Sequence, residues 1–112
     1  MNEYSIVRKY IDRLEEYVSE RLSVLDIDHE DREHLGQIAL NRSGLYNMLM
    51  LAKLMKAPVN EAEVEAAFEE AKRRIDASIF LEVQRPKKPE EVPQEFMKYY
   101  KYDPKSKSFV WR

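Results

Sequence analysis

Residues 4–25, YSIVRKYIDRLEEYVSERLSVL, decide the fold. Aliphatic side chains recur in this stretch at alternating spacings of three and four, at Val7, Ile11, Leu14, Val18, Leu22 and Leu25. Because an α-helix turns once in about 3.6 residues, this spacing places them in one stripe along a helix. Tyr10, Tyr17 and Val24 widen the stripe, as expected of a helix that packs against two neighbours. The stretch therefore predicts a long helix inside a bundle.

Further helices are predicted downstream. Carboxylates between residues 26 and 31 can cap and stabilise a helix N-terminus, so a second helix is expected from about Asp28. It either continues to residue 56 or breaks at residues 41–44, where Ser43 and Gly44 weaken a helix interior. Asn60 and Glu63 match a capping box and predict another helix that ends before residue 86. The inward positions of that helix are Val64, Phe68, Ala71, Ile75 and Ile79.

These patterns predict a mainly α-helical protein in which residues 1–85 form a three- or four-helix antiparallel bundle. Pro86, Pro89 and Pro93 predict an extended, Pro-rich linker over residues 86–95. Residues 96–112 form a C-terminal arm, which is either extended or a short β-hairpin. In the hairpin, residues 99–102 would pair with residues 108–111 around a turn at residues 103–106.

A helix formed by residues 45–55 would have almost no polar face, so every side of it would need to be buried. The segment is therefore either the central helix of the bundle or a contact with another chain. Because three helices of this length leave one face open, we expect the chain to self-associate here, as a homodimer. The predicted interface residues are Leu45, Met48, Leu49, Met50, Leu51 and Met55.

The arm holds half of the aromatic residues in the chain, and it is more basic than acidic. Aromatic side chains bury a large area at little entropic cost, so the arm is predicted to dock onto its own bundle or onto a protein partner. The residues expected to make this contact are Tyr99, Tyr100, Tyr102, Phe109 and Trp111. The alternative is a single nucleic-acid strand, whose bases would stack on these rings. Its phosphates would then meet Lys98, Lys101, Lys105, Lys107 and Arg112.

A second nucleic-acid geometry is loosely similar to a winged helix. Residues 37–49 would form its helix pair and residues 103–107 its basic wing. The similarity rests on Ile38, Ala39, Gly44, Leu45 and Met48. Recognition helices usually carry more basic residues than Arg42, which is the single one in this segment.

Other functional classes have little support in the sequence. The chain contains no cysteine, and its two histidines, His29 and His34, are five residues apart, whereas a zinc-binding helix needs a spacing of four. No nucleophile motif or phosphate-binding loop is present, so we expect a non-enzymatic protein without a metal or cofactor. The absence of a signal peptide and of a long apolar run predicts a cytoplasmic protein with no membrane partner. The 36% of charged residues is typical of thermophiles.

A further pattern is scattered over residues 4–75, at Tyr4, Val7, Tyr10, Ile11 and Leu14, followed by Leu51, Lys53 and Leu54. At these positions the segment resembles the helical domain of archaeal GINS replication-fork adaptors. Met50 stands where the family has an arginine, and the small β-domain of that family is reduced to at most a hairpin. Amphipathic helices produce such matches by chance, so no family is assigned on this resemblance.

Overall fold

The structure, a computed structural model, describes the backbone of residues 3–112 and side chains from residue 5 onward. Met1 and Asn2 of the predicted bundle, and the side chain of Tyr4, lie outside the described residues. Within the described part, the α-helices are α1 (Glu3–Ser23), α2 (His29–Arg42), α3 (Tyr46–Met55) and α4 (Glu61–Gln84). Two 3-10 segments follow, Pro89–Glu91 and Gln94–Tyr99, and then two antiparallel strands, β1 (Tyr100–Asp103) and β2 (Ser108–Trp111). The prediction of a mainly α-helical bundle with a C-terminal hairpin is confirmed. None of the described helices is long and apolar enough to cross a membrane.

The predicted stripe of α1 forms the centre of the bundle core. Val7, Leu14 and Val18 are buried against the apolar faces of the other helices, and Tyr10 is buried beside them. Val24 is an exception, because the helix ends at Ser23 and the Val24 side chain is 83% exposed. The remaining members of this core cluster include Leu40, Leu45, Leu49, Val64, Phe68, Ala71 and Ile75.

α1 and α4 run in the same direction, so this pair departs from the predicted antiparallel arrangement. Three ion pairs follow one another in the same order along both helices. The pairs and their N···O distances are Lys9–Glu61 at 2.9 Å, Arg13–Glu65 at 2.8 Å and Arg21–Asp76 at 3.1 Å. α2 packs on both α1 and α4, and α3 packs on α1 and α2.

The segment predicted as an extended linker folds back onto the bundle. Pro89–Glu91 forms a 3-10 turn in which Oε1 of Glu91 accepts the backbone N–H groups of Lys88, at 3.0 Å, and Lys87, at 3.3 Å. The turn places Val92 in a second apolar cluster together with Leu81 of α4. Burial of Val92 therefore overrides the extended conformation that three prolines favour.

The C-terminal hairpin completes the second cluster. Its register pairs Tyr100 with Trp111 and Tyr102 with Phe109, and these four side chains share the face that points at the bundle. Pairing begins at Tyr100 instead of the predicted Tyr99, which ends the preceding 3-10 segment. The turn has the expected chemistry, because the carboxylate of Asp103 accepts the N–H of residue 105 at 3.0 Å and the hydroxyl of residue 106 at 2.9 Å.

Candidate interaction surface

The start of α3 is set by a break at residues 43–45. The hydroxyl of Ser43 donates to the carbonyl of Leu40 at 2.7 Å and accepts the N–H of Tyr46 at 3.1 Å. Gly44 has φ of +80°, and a Cβ added there would lie 3.3 Å from Nε of Arg74. Glycine alone adopts this conformation without strain and also leaves room for that guanidinium. The predicted helix from residue 28 therefore divides into α2 and α3.

α3 exposes an apolar side to solvent. Of the six residues of α3 that are exposed, Asn47 alone is polar. The other five are Met48 at 49%, Met50 at 40%, Leu51 at 55%, Leu54 at 81% and Met55 at 66% exposure. We call these five residues the α3 surface. Single exposed apolar residues are common in proteins, whereas a contiguous group on one short helix is typical of contact sites.

Two of the predicted interface residues do not belong to the α3 surface. Leu45 and Leu49 point in the opposite direction and are buried in the core of their own chain. α3 is therefore apolar for two separate reasons, because one side packs on α1 and α2 and the other side is open. Leu54, the most exposed residue of the surface, was missed in the predicted interface. Its position on the helix, about 140° round from Leu49, could have identified it.

An apolar groove runs beside the α3 surface, between α3 and the first turns of α4. Its volume is about 480 Å³, and it is open to solvent along the helix. Met48, Leu51 and Met55 form one wall. The opposite wall comes from the connection and from α4, and it includes Pro58, Val59 and Ala67. The groove extends the apolar area of the α3 surface on the side of α4.

Charged side chains form a flank on the side of the α3 surface away from the groove, where Tyr46 and Lys53, seven residues apart, lie on one stripe of the helix. Lys53 and Lys56 stand at the C-terminal end of α3. Glu15 of α1 stands near the opposite end, where it lines a cleft together with Gln37 and Leu40 of the preceding helix. Burial, and then the nearby charge of Glu15, raises the pKa of Tyr46, the first residue of α3. The two ends of this flank therefore carry opposite charges.

The residues predicted for arm contact are largely engaged with the bundle of the same chain. Tyr99, Tyr100 and Phe109 are buried, while Tyr102 and Trp111 are partly buried against them. The Tyr100 hydroxyl donates to the carbonyl of Ala77 in α4, and burial raises the pKa of Tyr100. The arm thus docks on its own α4, because its aromatic face is needed to cover the C-terminal half of that helix.

Two arginines that were not predicted as functional hold the end of the arm. The Arg42 guanidinium lies 5.3 Å from the ring centroid of Trp111 and pairs with Glu82 at 3.0 Å. Arg74 lies 5.4 Å from the same ring and 5.2 Å from the ring of Tyr99, and its Nε donates to the carbonyl of Arg42 at 2.9 Å. Cation–π contacts of this kind fix aromatic rings in place. No sequence pattern connects residues 42 and 74 to residue 111.

The basic residues of the arm are all exposed, whereas its aromatic rings are buried or partly buried against the bundle. Lys101 is on the outward face of the hairpin, opposite the aromatic side, and Val110 is its cross-strand partner. Lys98, Lys105, Lys107 and Arg112 are also exposed. The hairpin therefore offers charge for phosphates without the stacking platform of the single-strand hypothesis. The winged-helix hypothesis has no basic recognition surface either, since the exposed side of α3 is apolar.

Groups that could support catalysis or metal binding are sparse in the described chain. Among residues 3–112, no group of three His, Asp or Glu side chains could hold a metal ion. His29 contacts Glu33 at 3.1 Å, and both side chains are largely exposed. Outside the arm, the pKa of Tyr10 is the most clearly shifted. Its hydrogen bond to Glu65, together with burial and nearby carboxylates, raises this pKa to about 12. Arg13 also donates to Glu65, at 2.8 Å, so this group links α1 and α4.

The α3 surface, its groove and its charged flank are therefore the features of the described chain that best fit a binding site. Comparison with known proteins adds no assignment, because no family model, no curated protein and no solved structure matches the chain.

Proposed function

We propose that the protein is a non-enzymatic assembly subunit that self-associates through the α3 surface. One observation carries the proposal, namely that five of the six exposed residues of α3 are large and apolar. A helix that only covered its own bundle would place polar side chains on that side. Three of the five residues are methionines, whose flexible side chains adapt to an opposing surface.

The energetics of burial support contact with another protein chain. Full burial of a Leu or Met side chain contributes about 1.5–3 kcal/mol, so each half-exposed residue of the surface could contribute about 1 kcal/mol. Association costs roughly 4–15 kcal/mol in translational and rotational freedom. Both copies contribute to a symmetric contact, and the favourable total is then of the same order as that cost. Stable association therefore requires the groove and the charged flank as well as the five residues.

The arm has a different role in this proposal from the one predicted for it. Its aromatic side chains stabilise the hairpin on α4, so contact of Tyr99, Tyr100 or Phe109 with a partner would first require the arm to leave the bundle. That step would be unfavourable, because it would expose these three aromatic side chains to water. Self-association through α3 needs no such rearrangement, because the α3 surface is already open.

The test is the molar mass of the purified protein over a range of concentrations. Light scattering coupled to gel filtration should give a mass that rises from the 13.4 kDa of one chain towards twice that value as the concentration passes through the micromolar range. Dissociation at lower concentration shows that the association is reversible. A mass that stays at 13.4 kDa up to several hundred micromolar would overturn the proposal.

A further inference from the structure

We infer that the occupant of the α3 surface is a second copy of this chain, placed by a two-fold axis so that the two α3 helices pack antiparallel and Lys53 of each copy faces Glu15 of the other. This inference rests on the proposed self-association and specifies its geometry. It commits to one arrangement of the two copies, which makes it testable separately from association itself.

The first step of the argument is the position of the charges along α3. α3 has ten residues and is about 15 Å long, at about 1.5 Å per residue. Glu15 is close to Tyr46 at its N-terminal end, whereas Lys53 and Lys56 are at its C-terminal end. Lys9 of α1 pairs with Glu61, which begins α4 shortly after α3 has ended. α3 therefore runs antiparallel to α1, from the level of Glu15 to that of Lys9.

The second step concerns symmetry. We consider a two-fold axis that is perpendicular to α3 and lies in the plane of the contact. It reverses the direction of the second helix and keeps the charged flank on the same side of the contact. The N-terminal end of this flank in one copy then faces its C-terminal end in the other. Glu15 of each copy meets Lys53 of its neighbour, with Lys56 nearby, and the pair occurs twice. If the axis were parallel to the helices, Glu15 would instead face the groove side of the second copy.

The third step concerns the groove side of the same contact. Met48 and Met55 line the groove at opposite ends of α3. The antiparallel arrangement brings Met48 of one copy to Met55 of the other, so apolar residues meet apolar residues on this side. Leu51, at the edge of the groove, and Leu54, beside it, form the centre of the contact. The arrangement thus matches charge with opposite charge and apolar area with apolar area along the whole helix, as specific interfaces require.

The test uses reversed charges in two separately purified variants, Glu15→Lys and Lys53→Glu. Each variant alone places like charges opposite one another at two positions, so its dimer dissociation constant should rise at least about tenfold. Mixing the two variants restores both attractive pairs. The substituted position 15 of one chain then faces the substituted position 53 of the other with opposite charge, and the unchanged Lys53 of the first chain faces the unchanged Glu15 of the second. The mixture should therefore form a heterodimer with close to wild-type affinity.

Matched controls carry the same charge changes at exposed positions outside the contact. Glu16→Lys lies at an exposed position about 100° further round α1 than Glu15. Lys101→Glu lies on the outer face of the hairpin. Both controls should dimerise with the affinity of the wild-type chain, and mixing them should not increase that affinity.

The outcomes separate the arrangement from the proposed self-association. A wild-type dimer together with weakened single variants and a restored mixture supports the inference. A wild-type dimer whose affinity is unchanged in both variants, or weakened variants that the mixture does not restore, would overturn the antiparallel arrangement and leave self-association standing. A wild-type chain that is monomeric throughout would overturn both.

Discussion

The indole ring of Trp111 stacks on the phenol ring of Tyr99, with 5.6 Å between the ring centroids and 6° between the ring planes. Arg74 lies against both rings, and Arg42 lies against the indole. The last residues of the chain are therefore held on the bundle by aromatic and cation–π contacts. The aromatic face of the arm contributes to the fold, whereas α3 carries a contiguous group of exposed apolar side chains.

Fluorescence of Trp111, the sole tryptophan, should report this packing. Because the ring is partly buried and stacked, its emission maximum is expected to be shifted to the blue relative to that of the protein unfolded in urea. Single-stranded and double-stranded oligonucleotides at micromolar concentration should leave the emission unchanged, since the rings of the arm are packed on the bundle. The measurement is a titration at low and at moderate salt.

A control for that titration is the variant Lys101→Ala, which removes charge from the outer face of the hairpin without touching the rings. It should give the same spectrum as the wild-type chain. Quenching by a single strand that added salt reverses would instead support a nucleic-acid clamp, because phosphate contacts weaken steeply with salt.

Gly44 and Gly36 should respond in opposite directions to substitution by alanine. Gly44→Ala places a Cβ at φ of +80° and 3.3 Å from Nε of Arg74, so we expect a loss of about 1–2 kcal/mol in the free energy of unfolding. Gly36 lies inside α2, and its added Cβ would lie 3.4 Å from Cδ1 of Leu22, an ordinary contact. Gly36→Ala should stabilise the protein by up to about 1 kcal/mol, because alanine favours the helix.

Urea unfolding of the two variants beside the wild-type chain measures this difference. Equal effects of the two substitutions would show that the break between α2 and α3 does not depend on the left-handed conformation of Gly44. A destabilised Gly44→Ala variant should also retain its helical circular dichroism at low urea, since the substitution affects the junction and leaves the helices intact.

Tyr10 should make the stability of the bundle depend on pH in the alkaline range. Its pKa is raised from 10.0 to about 12 in the folded chain, because the hydroxyl donates to Glu65 and is buried. A raised pKa means that the folded state holds the proton more tightly than the unfolded state does. The contribution of Tyr10 is therefore complete below pH 10 and is lost as the pH rises from 10 to 12.

The difference in unfolding free energy between the wild-type chain and Tyr10→Phe measures this contribution. It should favour the wild-type chain at pH 8 by about 1 kcal/mol, as expected for a hydrogen bond to a charged group that is partly exposed, and shrink between pH 10 and 12. A difference that is constant over this range would contradict the assigned role of the Tyr10–Glu65 contact.

The helices and the hairpin could be predicted from local patterns. The stripe of α1, the cap at Asp28 and the turn at Asp103 each depend on residues close together in the chain, and all three are observed. The position of the arm could not be predicted in the same way. Its docking depends on contacts of Tyr100 with Ala77 and of Trp111 with Arg42 and Arg74, which are distant in sequence.

The candidate site was predicted in part for a related reason. The all-round apolar character of residues 45–55 pointed to α3, but it did not separate the side that packs inside from the side that is open. Leu45 and Leu49 were assigned to the interface, whereas Leu54 was left out. That separation depends on which neighbours a helix has, and the break at Gly44, which the sequence left undecided, determines them.

The most direct measurement is the self-association constant of Leu54→Glu compared with that of Val24→Glu, by analytical ultracentrifugation. Leu54 is 81% exposed at the centre of the α3 surface, and Val24 is 83% exposed beyond the end of α1. Both substitutions add one negative charge to an exposed apolar position, and neither removes a core contact. Leu54→Glu should weaken self-association at least about tenfold, or about 1.4 kcal/mol, whereas Val24→Glu should match the wild-type chain. Equal association of all three proteins would contradict assembly through α3.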